Sequence, residues 1–234
     1  MLSRFRRLSF SFVVRRVFRP VFAMCCLAAA VPADAASPVL AASSSPGLDL
    51  AEAWSDRDAW TSATPAVLRG VDGVRVPLAE VRARWNKSAI FFEFRCHDDS
   101  VVSPGQRDGL DHFKLGDVVE IFLGRRGDPS YVEVHATPSG KKTVYAFRGY
   151  REASDPPAGC EVRAGKVKGG WRAVLAVPWH AAGGGPEKQS WELLAGRYDY
   201  DEAGASPVLS SFPGQNGKPD FHERGCYARL QLLP

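Results

Sequence analysis

Hydrophobic positions recur every second residue in a series of short segments, the pattern expected of strands, whose side chains point to alternate faces. The clearest pair is GDVVEIFL, residues 116–123, and YVEVHA, residues 131–136. In the first, Val119, Ile121 and Leu123 share a side, opposite Val118, Glu120 and Phe122. In the second, Val132, Val134 and Ala136 oppose Tyr131, Glu133 and His135. The intervening GRRGDPS is a run of turn formers and charge, so the two segments read as a hairpin with one apolar side and one polar, partly aromatic side.

The same alternation predicts strands elsewhere. Val81, Ala83 and Trp85 alternate with Arg82 and Arg84; after an Asn86-Lys87-Ser88 turn, Ile90, Phe92, Phe94 and Cys96 alternate with Phe91, Glu93 and Arg95. Lys142 to Phe147, Trp171 to Val177, Trp191 to Tyr200 and Cys226 to Leu233 read the same way. Residues 148–169 read as irregular apart from an edge strand at Glu161 to Arg163, and Ser100 to Leu115 and Ala203 to Pro219 as long loops. Only Asp49 to Trp60 shows helical spacing. Many short strands with at most one short helix predict an all-β fold, an antiparallel, jelly-roll-like β-sandwich of roughly eight to ten strands. Trp85, Trp171, Trp179 and Trp191 are expected to fill its core.

The N-terminus departs from this pattern. Six arginines and no acid precede residue 20, Val21 to Val31 is an apolar run, and small residues flank Asp34. That order predicts a signal peptide over residues 1–35, cleaved near Ala35, and export to the periplasm or the exterior. The apolar run falls short of the roughly 20 residues of a membrane span, so no transmembrane segment is expected in the mature chain. A Ser/Pro/Ala-rich spacer over 36–47 and one domain over 48–234 complete the expected organisation. The formal charge of +4 belongs to the leader: its six arginines and one aspartate carry +5, leaving −1 for the remainder. That balance argues against a nucleic-acid partner, which calls for clustered Lys and Arg. Cys96, Cys160 and Cys226 remain outside the leader, compatible with one disulfide and an odd thiol or with three free thiols.

Two catalytic or redox chemistries bear weighing. Glu120 and Glu133 facing one another across the hairpin would suit a glycoside hydrolase, whose carboxyl pairs stand about 5 to 9 Å apart. A haem site would need two of His97, His112, His135, His180 and His222, because Met1 and Met24, the only methionines, lie in the leader.

The order of several pieces is more specific. VRARWN before IFFEF, GDVVEIFL, YVE with PSG, GW with VPW, and FH with YARL run in that sequence from about residue 48 to the C-terminus. Together they resemble the family 9 carbohydrate-binding modules. The resemblance implies an exported, non-catalytic β-sandwich that binds glycans in polysaccharide recognition or catabolism, associated with glycoside hydrolases. It implies two aromatic rings sandwiching a terminal sugar, with polar side chains on its hydroxyls. By that match Glu120 is a hydroxyl-binding acid, Phe221 a sandwiching ring and Arg197 a polar contact. Lys114 stands where the second ring is expected, with Phe113 beside it, and Glu133 stands where an arginine is expected. No cofactor is required for binding, but the resemblance implies structural calcium, for which Asp98, Asp99, Asp108 and Asp111 offer hard oxygen ligands. The other reading of the same fold is a structural or adhesive role without sugar binding.

Overall fold

Each strand-forming segment has one apolar face to hide, and two layers packed face to face hide them all. The computed structural model describes residues 37–187 and 190–234; the leader predicted over 1–35 lies outside them. The described residues hold fourteen strands and one α-helix. In chain order they are β1 (Val39–Ser44), α1 (Leu50–Ser55), β2 (Ala66–Val67), β3 (Arg69–Gly70), β4 (Ala79–Trp85), β5 (Ala89–His97), β6 (Val118–Arg125) and β7 (Tyr131–Ala136). Then follow β8 (Lys142–Gly149), β9 (Glu152–Ser154), β10 (Glu161–Val167), β11 (Gly170–Pro178), β12 (Trp191–Asp199), β13 (Val208–Phe212) and β14 (Ala228–Leu233).

The hydrogen-bonded path runs β10-β11-β5-β4-β1-β14-β12-β6-β7-β8-β9. It doubles over, so that Phe92, Phe94, Trp171 and Leu175 of one layer share a core with Val119, Ile121, Leu123, Val132 and Val134 of the other. The register of β6 on β7 pairs Val119 with Ala136, Ile121 with Val134 and Leu123 with Val132, which puts every one of these side chains on the core face. Trp171, Trp179 and Trp191 are buried there as expected, with Trp85 packed at the edge.

Three parts of the expected architecture change. The spacer over 36–47 is not a spacer: residues 39–44 form β1, which pairs in parallel with both β4 and β14 and makes the sandwich mixed rather than purely antiparallel. Leu40 and Ala42 are buried, an alternation hidden in a stretch whose Ser and Ala content reads as linker. The loop over 203–219 contains β13, paired with β12 and β3. The edge strand at 161–163 extends to Val167 at one end of the path. Cys96 and Cys160 are buried and Cys226 is exposed, all three as free thiols. No helix among the described residues is long and apolar enough to cross a membrane.

Helix α1 begins with Asp49, whose side chain accepts from Glu52 N at 2.8 Å. A buried charge network fastens its far end to the sheet. Arg172 donates to Glu93 at 2.6 Å and to the carbonyls of Trp54 and Ala53 at 2.6 and 2.9 Å. Glu93 is fully buried and also meets Arg95 at 3.0 Å and Arg82 at 3.6 Å. Removing one member of a buried ion pair strands the other without solvent. Arg172→Ala is therefore expected to lower the unfolding free energy by about 3–5 kcal/mol, measured by urea denaturation; a loss under about 1 kcal/mol, the scale of an exposed pair, would contradict it.

Candidate functional site

The face of β6 and β7 turned away from the core is buried as well. A second, aromatic cluster covers it, containing Phe122, Tyr131, Leu194, Phe221 and Tyr227. Within this cover a cleft of about 130 Å³ opens, floored by Glu120, Phe122 and Glu133 and walled by Phe113, Tyr198 and Phe221. Arg151, Asp220 and His222 line the rest of its mouth together with Leu209 and Pro219. The volume lies well below the roughly 300–1,000 Å³ of drug-sized pockets, so the cleft suits one small unit.

Strand register sets the floor. Glu120 is paired with His135 across β6 and β7, and with Gly196 across β6 and β12. Gly196 has a steric task there: a Cβ would lie 2.8 Å from the Phe221 ring, so only a bare Cα lets that ring lie against β12. Phe113 sits on a 3-10 turn, His112–Lys114, held by Tyr200 Oη donating to the Phe113 carbonyl at 2.6 Å. Its centroid stands 5.7 Å from Tyr198, which stands 5.7 Å from Phe221, itself 6.1 Å from Phe122. The four rings make one continuous arc.

The rim is tied by hydrogen bonds. Gln215 brackets Asp220, donating to its carbonyl at 2.8 Å and accepting from its N–H at 2.9 Å. Arg151, at the tip of the β8–β9 turn with a left-handed φ of 54°, donates to Asp220 at 2.9 Å, and Tyr150 Oη donates to the same carboxylate at 2.5 Å. His222 Nδ1 lies 2.8 Å from Tyr131 Oη.

The electrostatics centre on three buried groups. His135 Nε2 is 3.1 Å from Glu120 Oε1 and is hydrogen-bonded to Glu133 Oε1. Glu120, Glu133 and His135 are 2 %, 5 % and 0 % exposed. Burial pushes the Glu120 carboxyl up from its ordinary range; His135 pulls it down again and the Glu133 charge adds to the rise. Burial disfavours the His135 imidazolium, but the two carboxylates outweigh it and hold that group above its ordinary range. Glu133 Oε2 and His135 Nδ1 have no hydrogen-bond partner. An unmet buried polar atom costs about 1–3 kcal/mol, more if charged, so the site is held together at the expense of stability.

The structure gathers Glu120, Glu133, Phe113 and Phe221 at this cleft. Phe221 is the more covered of the two rings; Phe113 and Tyr198 are half-buried. Lys114 is exposed beside the cleft, bonded to Asp111 at 2.7 Å, with its ammonium 5.2 Å from the Phe113 centroid. Arg197 is not at the cleft. It pairs with Val119 and so takes the core side of β12, where it binds Asp199 at 2.6 Å and Asp98 at 3.1 Å. The neighbouring Tyr198 takes the cleft side instead. Glu120 and Glu133 do not face each other either: Glu133 pairs with Phe122, and the two acids meet side by side through His135. Tyr198, Arg151 and Asp220 are not among the residues the sequence singles out, and His222 enters there only as one of the histidines considered for haem. Alternation along β12 would have found Tyr198, whereas the other three come from turns and a loop that carry no period.

The four aspartates expected around calcium do not converge. Asp98 lies in the Arg197 cluster, Asp99 is exposed, Asp108 accepts from Lys142 N at 3.0 Å, and Asp111 bonds Lys114 and Tyr145. The carboxylates that do gather are Asp98, Asp117 and Asp199. Both oxygens of Asp117 already accept backbone N–H groups, from Tyr200 and Val102, and the Arg197 guanidinium sits against the other two. A hard cation that wants six to eight oxygens does not fit a set already matched by a guanidinium. Of the five histidines considered for haem, His112 is bonded to Thr143, His135 to Glu133 and His222 to Tyr131, while His97 and His180 are exposed.

Because Glu120 and His135 both bind protons more tightly in the folded chain than in the unfolded one, stability from this cluster is greatest at low pH. It is lost as pH rises from about 4.5 through about 8. Glu120→Gln mimics the protonated acid, so the unfolding free energy of wild type relative to this variant is expected to fall between pH 5 and pH 8. Denaturant titrations across that range check it; a difference that stays flat or grows would contradict it.

No protein-family model matches the chain, and no curated protein matches its sequence. Solved structures do match in fold. A candidate carbohydrate-binding protein from Bacteroides uniformis superposes with a TM-score of 0.69 at 14 % identity, covering 84 % of this chain and 100 % of that one. A family 9 carbohydrate-binding module from Caldicellulosiruptor kristjanssonii, in complex with cellotriose, gives 0.60 at 15 % identity over 83 % of this chain and 93 % of that one. The module from the same organism in complex with glucose gives 0.58 at 15 % identity, over 83 % and 95 %. The chain has the fold of the family 9 carbohydrate-binding modules.

Proposed function

We propose that this protein binds carbohydrate without catalysing a reaction, taking a single sugar unit in the cleft between Glu120, Glu133 and the arc of rings. The observation that carries the reading is the juxtaposition of that aromatic arc with a buried carboxylate oxygen, Glu133 Oε2, that lacks a donor. A sugar ring presents apolar C–H faces and a rim of hydroxyls, so it satisfies both at once. Phe113, Tyr198 and Phe221 supply the apolar surface; Glu120 and Glu133 accept from hydroxyls, and Arg151 and Asp220 meet those nearer the mouth. The shared fold with modules solved in complex with glucose and cellotriose supports this choice of ligand class.

Export through the predicted leader, and work beside glycoside hydrolases in polysaccharide recognition or catabolism, complete the proposal. A hydrolase mechanism is less well supported by the geometry. Its two acids act from either side of the scissile bond, whereas Glu120 and Glu133 stand on neighbouring strands bonded to one imidazole.

A glycan array followed by calorimetry tests the reading. At least one glycan is expected to bind, and Glu120→Gln and Tyr198→Ala are each expected to weaken it by about tenfold, the scale of one hydrogen-bonded or stacked contact. Absence of binding across the array would leave only a structural or adhesive role for the fold. Glycan hydrolysis by the wild type that disappears in Glu120→Gln would make it an enzyme.

A further inference from the structure

In the reading above, Glu120 and Glu133 take the protons of sugar hydroxyls at the floor of the cleft. Each hydroxyl oxygen also carries lone pairs that call for a donor. At the mouth, the Arg151 guanidinium is already bonded to Asp220, and the Tyr198 hydroxyl can serve either as donor or as acceptor. His222 differs, because its neighbours fix what it can do. Its ring stands edge to face with Phe122 and Phe147, at centroid distances of 5.4 and 5.1 Å. Its backbone N–H donates to Asp220 Oδ1 at 3.0 Å, on the carboxylate that Arg151 and Tyr150 also hold. Its Nδ1 lies 2.8 Å from Tyr131 Oη.

That last contact settles where the ring carries its proton. Tyr131 is 3 % exposed, and Nδ1 is the side-chain partner its hydroxyl finds among the described residues. Were Nδ1 protonated, it would donate to Oη and leave the phenolic proton buried without an acceptor, a costly arrangement. The phenol keeps that proton near neutrality, since burial pushes it up to about 12. Burial also holds His222 below its ordinary range, so the ring is neutral at pH 7. A neutral imidazole has one N–H, and with Nδ1 accepting from Tyr131 it is on Nε2. We infer that His222 is a sugar-binding residue whose Nε2–H, held in this tautomer by Tyr131, donates to an oxygen of the bound sugar. The inference rests on the carbohydrate reading above and adds a donor to its site. Nε2 is uncommitted: His222 is half-buried, lines the cleft, and makes its two hydrogen bonds through Nδ1 and the backbone N–H. Tyr131 lies behind the cleft lining and acts through His222, as a positioning residue.

Two measurements at pH 7 test the inference. Long-range ¹H–¹⁵N NMR spectra of the free wild-type protein are expected to show His222 as the Nε2–H tautomer. Tyr131→Phe, which keeps the ring and removes the hydroxyl, is expected to mix the two tautomers. Calorimetric titration with glucose, galactose, mannose and xylose then follows the tightest of the four through the variants. His222→Ala is expected to weaken it by about tenfold, the scale of one hydrogen bond. Tyr131→Phe is expected to weaken it by a smaller factor, and His222→Gln, whose amide N–H reaches the place of Nε2–H, to recover most of the loss. An Nδ1–H tautomer in the free wild type would overturn the inference, as would undiminished binding by His222→Ala; both results leave the carbohydrate reading in place. Failure to bind any of the four sugars would count against both. The tautomer is read on the wild type and decides the matter even if a variant does not fold.

Discussion

The cleft depends on the two-residue period of β6, β7 and β12. Val119, Ile121 and Leu123 must enter the sandwich core, and this alone drives Glu120 and Phe122 to the other side. The same rule on β7 commits Val132, Val134 and Ala136 to the core and leaves Tyr131, Glu133 and His135 to build the site. A slip of one residue in any of the three strands would place a carboxylate in the hydrocarbon core and aliphatic side chains in the cleft. The core therefore holds the cleft in register, and residues on the far face of each strand determine which side chains line it.

What the outer face then does is less usual for a sheet. Instead of meeting water it is roofed by aromatic side chains from β8, β12 and the loop before β14, so that Glu120 and Glu133 are almost wholly buried. Desolvation of that kind disfavours charge, and His135 is the only internal compensation. The Glu120 carboxyl is consequently pushed up to about 8. The clusters at Glu93 and Asp98 meet arginine instead of histidine. One fastens α1 to β11, and the other holds the start of the loop after β5 against β12.

Much of this was legible in the sequence because alternation is a local signal. The apolar and polar faces of residues 116–136 follow directly from it, and the ordered pieces that resemble family 9 modules brought Glu120, Phe113 and Phe221 forward before any coordinates. Arg197 shows where such matching fails: it is one residue from Tyr198, and one residue is the difference between the core and the cleft. Arg151 and Asp220 meet across 69 positions of sequence through a turn and a loop, and no periodic pattern foretells such a meeting. The strand at 39–44 was masked by composition, since Ser and Ala serve equally in linkers and in a narrow strand between two neighbours. The aspartates expected around calcium were grouped by nearness along the chain, whereas the fold gathers Asp98, Asp117 and Asp199 from three separate segments.

The central claim, that this cleft and no other surface receives a sugar unit, is tested most directly by following assigned NMR resonances during titration with monosaccharides. The account predicts that the ring signals of His135 and His222 and the amides of Gly196 and Phe221 shift together and saturate at one concentration. Shifts confined to the apolar groove beside Leu48, Trp85 and Phe91 on another side of the protein, with the His135 ring unmoved, would contradict it.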